Sequence, residues 1–131
     1  MKLISGLASL LTGAVIYLLF RSKNLLGFEL LDKIGMEPWS DRIRSYTADV
    51  KLPDVVVYSL PGGLWALGYI LVIDSIFGNQ SRSTRIVWAS VIPLLGVCSE
   101  VLQGVGLLPG VCDPWDLVCY ALPFIVFVLR I

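Results

Sequence analysis

Apolar residues fall into four long runs, and polar residues crowd into one stretch between the first run and the second. Residues 3–20, 55–77, 86–108 and 116–131 are apolar almost throughout. Each approaches the about 20 helical residues needed to cross a hydrocarbon core, and the fourth, the shortest, fits if it starts at Asp113 or sits in thinned bilayer. Residues 21–54 differ. There Leu26, Leu30, Leu31 and Ile34 recur at helical spacing, opposite Glu29, Asp32 and Lys33. Gly35 would end that helix, and Pro38 would begin a short one through Trp39, Ile43 and Tyr46. The pattern predicts an all-α, polytopic membrane protein. It is a single membrane domain over residues 1–131: a bundle of four transmembrane helices, with short interfacial helices between the first and second. A solvated loop capping the bundle, or a partner-binding surface, are the other readings of 21–54.

Composition sharpens this. Of the 131 residues 56% are hydrophobic and 15% charged, against about 25% charge in a soluble domain. Residues 21–54 hold twelve of the twenty charges (Arg21, Lys23, Lys33, Arg42, Arg44, Lys51, Glu29, Asp32, Glu37, Asp41, Asp49, Asp54). Net charge is zero, so no unbalanced basic stripe marks a nucleic-acid partner. There is no histidine, which argues against imidazole metal sites and His-based acid–base chemistry, and neither a cofactor nor a metal is expected. Cys98 and Cys119 read as packing residues inside apolar runs, and Cys112 as an exposed thiol. The first run is longer than the apolar core of a signal peptide and no A-x-A-like site follows it, so it reads as a retained helix.

Arg82 and Arg85 lie in the link between the second and third runs, whereas the loop 109–115 has no basic residue and contains Asp113. Counting Lys and Arg places that link, both termini and Arg130 in the cytoplasm, N-in and C-in; the six basic residues of 21–54 count the other way.

Glu100 is the one charge deep in an apolar run, and an intramembrane carboxylate is a functional candidate by default. Gln103 shares its helical face, and Gly96 and Gly104 flank it at i−4 and i+4, where a neighbouring helix or a ligand could come close. The plainer reading is a hydrogen-bonded group that holds the bundle together. Asp113, Pro114 and Asp116 form a helix start, with Asp113 at the N-cap; capping alone would account for both acids. Asp54 opens the second run on the same expected side. Asp54, Glu100, Gln103, Asp113 and Asp116 would together hold a cation, a proton, or a basic or hydroxyl-rich head group in the outer half. Asp74 is expected to pair with Arg82 or Arg85. Pro61, Pro93 and Pro123 fall inside apolar runs and are expected to kink them, most of all at Pro61-Gly62-Gly63.

The stretch Ser99-Glu100-Val-Leu-Gln103-Gly, followed by Leu-Pro-Gly-Val-Cys-Asp113-Pro-Trp-Asp116-Leu-Val-Cys-Tyr120, resembles the VanZ-like membrane family, which has E-x-x-Q on one membrane helix and D-x-x-D opening the next. Lys51-Leu-Pro-Asp54-Val-Val-Val-Tyr58-Ser-Leu-Pro is similar to the segment leading into an earlier family helix. The chain departs from the family in having no histidine there and no arginine between Gln103 and Asp113. The resemblance, over about residues 50–125, implies a protein of the bacterial cell (inner) membrane and a link to glycopeptide (teicoplanin) resistance. It carries polar family positions onto Glu100, Gln103, Asp113 and Asp116, and more loosely onto Asp54.

Three functions follow. The first is a non-enzymatic envelope protein, seated in the lipid bilayer, that engages a lipid-linked or amphiphilic ligand through an outer-half acidic cavity. The second is a small oligomeric transporter or pore with Glu100 handling the ion or proton, its homo-oligomer contact formed by Ser5, Ser9 and Gly13 at spacing four. The third is a subunit of a larger membrane complex that holds its partner through 21–54. An intramembrane enzyme has least support, since no serine or lysine is paired to a base at helical spacing.

Overall fold

The computed structural model describes residues 1–20 and 26–131, with only the backbone at Leu26, Gly27, Phe28, Leu31 and Glu37. Arg21 and Lys23, two of the basic residues of 21–54, lie outside the described residues, as do the side chains of Leu26 and Leu31. The chain is all-helical, with no strand among the described residues. Its elements are α1 (Lys2–Phe20), α2 (Leu26–Lys33), α3 (Glu37–Tyr46), a π-wound turn (Val55–Ser59) running into α4 (Leu60–Ile76), α5 (Arg82–Gly104) and α6 (Pro114–Arg130).

Two helical stretches, Lys2–Phe20 and Val55–Ile76, are long and apolar enough to cross a membrane, and α5 makes a third when its two halves are taken as one span. At 17 residues, or roughly 25 Å of helix, α6 falls short of a full crossing. The distribution of side chains agrees with a lipid environment. Large apolar residues such as Ile4, Leu11, Val87, Leu95 and Leu129 point outward, whereas Asp74, Glu100, Ser59 and Ser40 are among the buried residues.

α1 runs antiparallel to α4, α4 to α5 and α5 to α6, whereas α4 and α6 run parallel, Gly62 lying by Tyr120 and Ile70 by Phe127. α1 and α4 meet through glycines: a Cβ on Gly6 would lie 2.9 Å from the Gly68 carbonyl oxygen, and one on Gly13 would strike Trp65. Ser9 donates its hydroxyl to the Leu64 carbonyl at 2.9 Å. The oligomer seam expected of Ser5, Ser9 and Gly13 is therefore largely used inside the chain: Ser9 and Gly13 face α4, and only Ser5 stays exposed.

The prolines act differently from one another. α5 bends by 41° between Ala89 and Val91, one turn before Pro93, which has no N–H to offer the carbonyl four residues back. Before Pro61 the chain winds more loosely, with the Leu60 N–H reaching back five residues to Val55, but it continues into α4 without a break. α6 passes through Pro123 as one helix.

The third apolar run differs from its expected bounds of 86–108 at both ends. Ser81 caps α5 earlier, accepting the Thr84 N–H at 3.2 Å. Gly106, at φ +79°, ends it earlier: its N–H bonds to the Gln103 carbonyl and that of Leu107 to Leu102, a Schellman cap. Glu100 thus sits about one turn from the helix end, not eight residues inside it.

α2 and α3 form as the sequence suggests, with Gly35 at φ +76° after α2 and Pro38 in the first turn of α3. Arg44 donates to the Leu18 carbonyl at 2.8 Å, satisfying one of the open carbonyls at the end of α1. Leu30 of α2 and Ile34 just after it remain exposed.

Candidate functional site

The turn after α5 brings the end of that helix against the start of α6. Asp113 is the N-cap of α6, its Oδ1 accepting the Trp115 N–H at 2.9 Å, with Pro114 in the first turn. In a capping box the acid three residues on would accept the cap residue's own N–H. Here Glu100 of α5 takes that place: its Oε2 accepts the Asp113 N–H at 3.2 Å. Glu100 is 5% exposed and faces the positive end of the α6 dipole. Asp116 is thereby released from capping. Its carboxyl lies beside that of Glu100, and its Oδ1 is buried with no hydrogen-bond partner.

Both carboxyls open onto a cavity of about 350 Å³ between the ends of α1, α4, α5 and α6. Gln103 lines it, as do Ser99, Ser59 and the aromatic side chains of Tyr17, Tyr58, Trp65 and Tyr120. Ser99 returns its hydroxyl to the Gly96 carbonyl at 2.7 Å. Ser59 does no such thing: it is 2% exposed, and its Oγ has no hydrogen-bond partner. Buried polar atoms are nearly always paired, so two unpaired oxygens, Ser59 Oγ and Asp116 Oδ1, both from cavity-lining residues, suit donors supplied by water or a ligand. The volume lies at the lower end of the range for small-molecule sites.

Of the expected site residues, the structure brings together Glu100, Gln103 and Asp116. Asp113 stands one step back, holding Glu100 through its backbone and α6 through its side chain. Asp54 does not join them. It is exposed at the head of the π turn, makes no capping bond and is not part of the cavity wall. Among the described residues no group of three or more acidic or cysteine side chains is close enough to hold a metal ion.

Sequence reasoning missed Ser59, Tyr17 and Trp65. The signal for Ser59 was faint: a small hydroxyl two residues before a helix proline. Tyr17 and Trp65 come together, ring centroids 5.6 Å apart, only because α1 packs on α4. Of the two glycines flanking Glu100, Gly96 admits the Tyr120 ring and Gly104 the Cys112 side chain, so neighbouring residues of the chain fill the space at both.

No family model matches the chain, nor does any curated protein or solved structure.

Proposed function

We propose that the chain is a VanZ-like protein of the bacterial inner membrane that engages a lipid-linked or amphiphilic ligand through the Glu100–Asp116 cavity, without catalysing a reaction on it. The observation that carries this reading is the buried Glu100 carboxyl and the half-buried Asp116 carboxyl beside an unpartnered serine hydroxyl, in a cavity of ligand size walled by aromatic rings. Carboxylates accept several hydrogen bonds each, which suits a head group rich in hydroxyl or ammonium donors, while the rings cover the apolar part next to it. In this reading all four long helices cross the bilayer, α6 in a locally thinned region. Lys2, Arg82, Arg85 and Arg130 gather at the opposite end and are the cytoplasmic residues, so the acidic cavity opens in the outer half.

The packing argues against conduction through one copy. Ala66, Ile70 and Ala89 are almost fully buried and, with Phe127, fill the bundle on the far side of the cavity.

The test is native mass spectrometry of the protein extracted gently from its own membrane. Wild type should carry a defined amphiphile, and Glu100→Gln and Asp116→Asn should each reduce its occupancy by about tenfold or more, the worth of hydrogen bonds to a charged group. Gln at position 100 still accepts the Asp113 N–H, so the thermal midpoint should stay near that of wild type. Unchanged occupancy in both variants would remove the cavity from the function. If the reading holds, teicoplanin tolerance conferred by the chain falls in the same variants.

A further inference from the structure

A second cavity, of about 550 Å³, lies at the other end of the bundle, and its charge is of the opposite sign. Lys2, Arg85 and Arg130 reach it from α1, α5 and α6, and Asp74 of α4 is its one acidic side chain. Asp74 is satisfied: its Oδ2 accepts from Lys2 Nζ at 2.6 Å and its Oδ1 from Arg85 Nε at 2.8 Å. The cations are not used up. Lys2 spends one of its three N–H donors and Arg85 two of its five, while Arg130 makes no hydrogen bond or ion pair among the described residues. Arg82 adds a fourth positive charge close by, holding the Val128 carbonyl at 3.2 Å. Three lining cations face Asp74 and the end of the structure at Ile131, so positive side chains outnumber acidic groups in the wall.

The rest of the wall is apolar. Leu71, Val126 and Phe127 continue it, and Val126 belongs to the outward side of α6, where Leu122 and Leu129 are exposed. A soluble ion would have no use for that wall, whereas acyl chains would lie along it.

We propose that this cavity binds the phosphate of an anionic phospholipid, with Arg130 and the spare donors of Lys2 and Arg85 on the phosphate oxygens and the acyl chains against α6. Basic pockets between helix ends are a recurrent way of holding such head groups. The site is separate from the Glu100 cavity and stands or falls independently of it.

The full chain in neutral detergent, titrated with phosphatidylglycerol and followed by native mass spectrometry, tests this. Phosphatidylglycerol should bind in preference to phosphatidylcholine, and Arg130→Gln should weaken it about fivefold, the effect of one cation near an anionic head group. Lys2→Gln should give a similar fall, since Asp74 keeps Arg85. Equal binding of the two lipids, or an Arg130→Gln variant that binds like wild type, would overturn the proposal. Displacement of the lipid by millimolar inorganic phosphate would also overturn it, assigning the cations to a soluble anion.

Discussion

Replacing Asp74 with alanine should lower the thermal midpoint of the protein in neutral detergent by roughly 10 °C, with about 3 kcal/mol of stability lost. Asp74 is 4% exposed and near the end of α4, where it ties three helices at once: α4 itself, α1 through Lys2 and α5 through Arg85. The loss comes less from the attraction that disappears than from what stays behind. Arg85 is only 18% exposed, its guanidinium over the Phe127 ring, and without Asp74 it is a poorly hydrated, unpaired cation. Removing one member of a buried pair costs about 3–5 kcal/mol. The lower end applies here, because the neighbouring cavity can admit water to the guanidinium. Lys2 is 58% exposed, so Lys2→Gln should cost under about 1 kcal/mol. Equal effects of the two variants would mean that the buried Arg85–Asp74 pair does not hold this end together.

That ion cluster shows where reading the chain stops. The Asp74–Arg85 pair was legible because a short link joins the helices that carry the two residues. Lys2 was not, since it lies 72 positions from Asp74 and meets it only after α1 packs along α4. Local chemistry was read well elsewhere: Asp113 caps α6, Gly35 follows α2, and the bend in α5 falls one turn before Pro93. Ends set by a single backbone conformation were read less well. Apolarity continues to Leu108, yet α5 stops at Gly104 because Gly106 takes a left-handed conformation that hydropathy does not register. The acidic site was half legible for a related reason. Two antiparallel helices joined by a link of nine residues, 105–113, bring Glu100, Gln103 and Asp116 to the same end of the bundle. Asp54 depended on how the π turn is oriented, and it stays exposed, outside the cavity wall. The exchange of capping roles that frees Asp116 needs two helices in contact and has no signature in either alone.

Gly96→Ala should destabilise the protein, and the same substitution should become stabilising once Tyr120 is removed. A Cβ on Gly96 would sit 2.4 Å from Cδ1 and 2.5 Å from Cγ of the Tyr120 ring, while the phenolic end of that ring lies 2.9 Å from where a Cβ on Gly62 would be. The ring is therefore clamped between α4 and α5. Its Cγ is close to the α6 backbone, so turning the ring about its own axis does not relieve the clash; the side chain must leave its rotamer or the helices must part. Overpacking of this kind costs about 1–3 kcal/mol, partly offset by the about 1 kcal/mol that alanine gains over glycine within a helix. In a Tyr120→Ala background only the helix gain remains, so the sign reverses. Thermal unfolding of the wild type, both single variants and the double variant closes the cycle, with an expected coupling of about 1–3 kcal/mol. Additive effects would show that the ring moves aside freely. Gly104→Ala is the control, because its Cβ would meet only the Cys112 side chain, at 3.2 Å. Tyr120 also lines the acidic cavity, so Gly96→Ala reaches the site through packing: the displaced ring changes the cavity's shape while Glu100 and Asp116 keep their chemistry. Amphiphile occupancy should accordingly fall in Gly96→Ala and stay near wild type in Gly104→Ala, which separates the form of the cavity from its charge.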